Sequence, residues 1–128
     1  MKYKINLFIP VYLLALAGMF YFSYNYHIRS INEAKHESII NLGKEMAQSD
    51  IKSNNLRWFW YSEGWDTNEA TNQYFEKKYK IRINWDMAST NDDYSWRKSY
   101  NQVINDHLVI KYGQGFYKLY NDVYIHFR

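Results

Sequence analysis

Four histidines, His27, His36, His107 and His126, are the first side chains in this 128-residue sequence with the chemistry to hold a metal or move a proton. None lies at ligand spacing from another histidine or within a motif such as H-E-x-x-H, so no metal site is expected. His107 falls on an apolar helical face, the setting of a hydrogen-bonded structural imidazole rather than a general base. Asp92-Asp93 has the look of a paired carboxylate, but acids beside the first turn of a helix are explained by the helix dipole alone. Glu63 and Asp66 flank Trp65 in YSEGWD, the acid-plus-aromatic content of a sugar-cleaving site. Such a site is defined by carboxylate separation across a cleft, not by closeness along the chain.

The sequence contains no nucleophile elbow, phosphate-binding glycine loop, dinucleotide fingerprint or calcium loop among its five glycines. Cysteine is absent, which removes disulfides, thiolate metal sites, a cysteine nucleophile and a lipid-modified cysteine together. The expectation is therefore a protein that is not an enzyme and that takes no cofactor. Lys2, Lys4 and Arg29 account for the whole formal net charge of +3, and the rest of the chain is balanced. Without a basic face to neutralise several phosphates, no nucleic-acid partner is expected.

Aromatic residues make up 20% of the chain, with 14 Tyr and 5 Trp. Their densest run is Trp58, Phe59, Trp60 and Tyr61, followed by Trp65. Strand alternation sends Trp58 and Trp60 to one face and Phe59 and Tyr61 to the other. Trp58, Trp60 and Trp65 are thus candidates for binding a partner; the alternative is that helices cover both faces. Nothing in the sequence names a small-molecule ligand.

The elements that would position these residues begin with 20 uncharged positions, Ile5 to Tyr24, enough helix to span a bilayer core of about 30 Å. Tyr21, Tyr24 and Tyr26 sit where an interfacial aromatic belt would lie, and Lys2 and Lys4 outweigh Arg29 with its neighbour Glu33. This predicts a membrane anchor over residues 1–27, in contact with lipid through residues 5–24. In a bacterium it is a single-pass inner-membrane protein with its C-terminal domain outside the cytoplasm. Ala15-Leu16-Ala17 offers a signal-peptide cleavage site as the alternative, which would leave a periplasmic or secreted protein cut near Ala17.

Ile28, Ile31, Ile39, Leu42 and Met46 share one helical arc, predicting a stalk over 28–52 that breaks at Ser53-Asn54-Asn55. Residues 53–128 then form a small domain. Strands are predicted at Leu56–Tyr61 and Ile81–Met87, with a helix between them opened by the capping-box pair Asp66 and Glu69. A second helix follows Asp92-Asp93, with Trp96, Tyr100, Val103, Ile104, His107 and Ile110 on its face, and ends at Gly113. Asn121-Asp122 predicts a terminal hairpin between Phe116–Tyr120 and Val123–Phe127. The sum is an α+β fold: an N-terminal transmembrane helix, two to three further helices and a short, mostly antiparallel sheet. The functional expectation is an anchored, non-enzymatic protein-interaction module of the bacterial envelope. Its alternatives are a cleaved periplasmic inhibitor or immunity-type protein, and a cell-wall glycan binder or hydrolase.

Overall fold

The computed structural model describes residues 8–60, 69–85 and 90–126. The chain divides into two compact units, Met1–Lys35 and His36–Arg128. Helix α1 (Phe8–Ser53) begins in the first and ends in the second. Pro10 is the third described residue of α1.

In the first unit α1 keeps its large apolar side chains in the open. Val11, Leu13, Leu14, Met19, Phe20 and Phe22 are all exposed, as are Tyr12, Tyr21, Tyr24 and Tyr26. Arg29 closes an exposed i,i+4 ion pair on Glu33 at 2.8 Å. Among the described residues no helix is long and apolar enough to cross a membrane. This corrects the transmembrane signal-anchor over 5–24 and the inner-membrane location drawn from it. The physical reason is that lack of charge is not apolarity. Tyr12, Gly18, Tyr21, Ser23 and Tyr24, followed by Asn25, Tyr26 and His27, bring hydroxyl, amide and imidazole groups into the run. Lys2, Lys4 and Ile5 lie outside the described residues.

The second unit contains the last turns of α1, then β1 (Leu56–Phe59), α2 (Glu69–Tyr79), β2 (Ile81–Asn84), α3 (Asn91–Tyr112) and α4 (Phe116–His126). Helix accounts for 84% of the described residues, so the α+β expectation is corrected to four helices around a two-stranded sheet. That sheet is parallel, with Leu56 opposite Ile81 and Phe59 opposite Asn84, not antiparallel as expected. Parallel neighbours need a crossover, and α2 is that crossover. The terminal hairpin is also corrected. Phe116, Leu119, Tyr120 and Val123 are buried at i, i+3, i+4 and i+7, the period of a helix, while Asn121 and Asp122 lie on its exposed side.

Two further elements differ in detail. The apolar arc foreseen on α1 leaves Ile28, Ile31 and Leu42 exposed, and the buried positions in its last turns are Gly43, Ala47 and Asp50. On α3 the buried set is Arg97, Tyr100, Asn101, Ile104 and Leu108, while Ile110 is 86% exposed. Asp92 and Asp93 do occupy the first turn of α3, where the Thr90 hydroxyl accepts from Asp93 N at 3.1 Å. Gly113 closes the helix in the left-handed region at φ 73°.

The core is aromatic. Trp58 lies flat on Phe116, ring centroids 3.8 Å apart at 3°, and Trp60 packs on Trp85 and Tyr120. The opposite face of β1 puts Phe59 edge-on to Trp96 and Tyr100 of α3. Both faces of the strand are thus covered, α4 on one and α3 on the other. The strand's free edge is closed by side chains of α3. Asn101 accepts from Phe59 N at 3.0 Å and donates to Phe59 O at 2.7 Å, completing both backbone groups as a third strand would. Arg57 N donates to the Tyr100 hydroxyl at 3.2 Å. Helix α1 meets α3 so closely that a Cβ at Gly43 would overlap the Trp96 carbonyl and the Ser99 hydroxyl. Ser99 there donates to Ile40 O at 2.9 Å.

Candidate functional site

The side chains with the clearest chemistry do not converge. His27 and His36 are exposed and His107 is half-buried, while the side chain of His126 lies outside the described residues. Among the described residues no three histidines or carboxylates stand close enough to hold a metal. Glu63, Trp65 and Asp66 also lie outside the described residues, as do Tyr61, Met87 and Phe127. Trp58 and Trp60, two of the three partner-binding candidates, are 4% and 5% exposed and belong to the core.

The most polar buried cluster is Asp50, Arg57 and Tyr100. Asp50 Oδ2 accepts from the Tyr100 hydroxyl at 2.5 Å, from Arg57 Nε at 2.8 Å and from the Arg57 terminal nitrogen at 2.7 Å. Burial first, then the adjacent carboxylate, pushes the Tyr100 phenol well above its ordinary value. Burial alone would lower the pKa of the Arg57 guanidinium, but the bonds to Asp50 and Tyr100 outweigh it and leave the value raised. A phenol held protonated and a carboxylate whose Oδ2 accepts from both Tyr100 and Arg57 form a brace between α1, β1 and α3.

Two concave sites flank one face of α3, where Tyr94, Lys98 and Gln102 stand at i, i+4 and i+8 and contribute to both. The cavity toward α1 has a volume of about 480 Å³ and is lined further by His36, Ile40, Lys44, Ser95 and Asp106. It gathers the residue types of an acyl-transfer triad, serine, histidine and aspartate. No hydrogen bond joins them among the described residues, and Asp106 is instead engaged by Gln102 Nε2 at 2.9 Å. A triad is recognised by those mutual bonds, so the cavity lacks the geometry.

The bay toward α4 holds about 330 Å³ and is closed by Trp58, Asn101, Asn105 and Tyr117. Asn101 is engaged at both ends of its amide by Phe59, and Asn105 Oδ1 accepts from Phe116 N at 3.0 Å, which leaves its amide nitrogen to face other partners. The indole Nε1 of Trp58 is buried and has no acceptor among the described residues. This bay is a candidate binding site of the second unit. Of its residues only Trp58 was signalled by sequence; Tyr94, Lys98, Gln102 and Asn105 follow no motif, and only the packing of α3 beside α4 brings them together. No protein-family model, curated protein or solved structure matches this chain.

Proposed function

We propose that this chain is a non-enzymatic protein-interaction module, held to another protein through the Val11–Tyr26 stretch of α1. The observation that carries the reading is the exposure of that stretch. Ten large apolar or aromatic side chains between Val11 and Tyr26 are each at least 59% exposed. They amount to on the order of 1,000 Å² of uncovered surface, against the few hundred Å² usual for the largest patch of a monomer. A helix that exposes large apolar and aromatic side chains of this number is suited to burial against a partner. The hydroxyls of Tyr12, Tyr21, Tyr24 and Tyr26 favour a protein as the cover, because buried phenols take hydrogen-bond partners and interfaces are enriched in tyrosine.

Site-specific photo-crosslinking tests this. A photoreactive residue at Leu14 or Phe20 should yield one discrete heterologous adduct, identified by mass spectrometry, and the same residue at Lys111 should yield none. Adducts only to lipid, or only to a second copy of the chain, would overturn the reading.

A further inference from the structure

The bay between α3 and α4 carries no carboxylate, and three of its lining side chains, Lys98, Asn105 and Trp58, present donors. Lys98 offers an ammonium that only donates. Asn105 has its oxygen engaged by Phe116 N, so its amide contributes donors. Trp58 contributes an indole N–H, donor only, buried without an acceptor among the described residues in a side chain 4% exposed. The Gln102 amide nitrogen is engaged by Asp106, which leaves its carbonyl as an acceptor, and the hydroxyls of Tyr94 and Tyr117 are groups that both donate and accept. A buried donor without a partner is costly to leave so, and its cost is recovered when an acceptor arrives.

We propose that this bay is a binding site for a small, hydroxylated carboxylate, of the size of one sugar acid. The ligand's carboxylate pairs with Lys98, and one of its oxygens accepts from the Trp58 indole. The volume of about 330 Å³ sits at the lower end of the roughly 300–1,000 Å³ found for small-molecule sites, which matches a ligand of about one ring. Tyr117 stands beside the indole, its ring edge-on to Trp58 with centroids 5.6 Å apart, so an acceptor reaches the buried Nε1 only when the Tyr117 side chain shifts. The other face of Trp58 is closed by Phe116, which fixes the indole plane and leaves the approach to one side.

The full chain, labelled with ¹⁵N, is titrated with D-glucuronate and, separately, with D-glucose as the neutral counterpart. The indole N–H resonance of Trp58, assigned through Trp58→Phe, is followed throughout. Glucuronate should move that resonance saturably, and glucose should not. Lys98 is exposed on α3, so Lys98→Met retains the fold, and it should weaken glucuronate binding about tenfold or more, the loss expected for one charge-assisted bond. An indole resonance that stays still at the highest glucuronate concentration overturns the proposal. So does equal binding of glucose, or unchanged affinity in Lys98→Met.

Discussion

Replacing Asp50 by alanine removes the acceptor on which α1, β1 and α3 converge. The Tyr100 hydroxyl, in a side chain with no exposure, loses the partner it donates to at 2.5 Å. An unmade bond of that kind costs about 1–3 kcal/mol. Arg57 loses its counterion as well. A fully buried pair broken from one side would cost about 3–5 kcal/mol. Here the Arg57 side chain is 27% exposed and that of Asp50 13%, so solvent screening reduces this part to about 1 kcal/mol. Asp50→Ala should therefore destabilise the second unit by about 2–4 kcal/mol. Tyr100→Phe should cost about 2 kcal/mol, because it removes the same bond and also the acceptor for Arg57 N. The bond common to both variants is counted in each, so the double variant should fall short of the sum by about 1–2 kcal/mol. Urea unfolding followed by tryptophan fluorescence measures this, since all 5 Trp lie beyond His36 and report on the second unit alone. Additivity within about 0.3 kcal/mol, or a cost for Asp50→Ala below about 0.5 kcal/mol, would refute the brace.

The raised pKa of Tyr100 makes the same cluster sensitive to alkali: the folded state keeps a proton that the unfolded chain releases from about pH 10 upward. Stability should be flat in this respect below pH 10 and fall above it by up to about 1.4 kcal/mol per pH unit, with a shallower fall in Tyr100→Phe; urea midpoints between pH 9 and 11 would show it. Gly43→Ala should destabilise the second unit by about 1–3 kcal/mol in the same urea assay, because its methyl overlaps the Trp96 carbonyl and forces α1 away from α3. Gly18→Ala, with nothing within 4 Å of the added carbon, should instead raise helicity by circular dichroism, the gain being about 1 kcal/mol of propensity. Asn101→Ala leaves both backbone groups of Phe59 without partners and should cost about 2–4 kcal/mol in the same urea assay; a cost below 1 kcal/mol would mean that water replaces the amide at the strand edge.

What was legible beforehand was local. The alternation of Trp58 and Phe59, the acids in the first turn of α3 and the left-handed stop at Gly113 depend on a few neighbouring residues and on backbone geometry. The helix end near Asn54, which sits at φ 54°, is of the same kind. The terminal segment was misread although its signal was also local. Asn121-Asp122 tolerates a turn, but Phe116, Leu119, Tyr120 and Val123 repeat at helical spacing, and burying that stripe against Trp58, Trp60 and Phe75 outweighs the turn preference. The run Ile5 to Tyr24 lacks charge but carries tyrosine polarity, and absence of charge alone does not make a membrane span.

The candidate bay could not be read in advance, for a different reason. Asn105 and Gln102 are ordinary polar residues on a helix until Phe116 N and Asp106 consume one end of each amide. Lys98 is an ordinary surface lysine until Tyr94 and Tyr117 enclose the space beside it.

The order of amino acids thus determined the helix stop at Gly113, the acids in the first turn of α3, and that no cysteine chemistry is available. Only the tertiary structure decided that β2 runs parallel to β1, that Asn101 serves as a strand partner, and that Gly43 is the point where two helices meet. Those outcomes depend on contacts between residues some 25 to 60 positions apart. Such contacts form when large aromatic surfaces are buried together, and periodicity along the chain carries no record of which face will meet which.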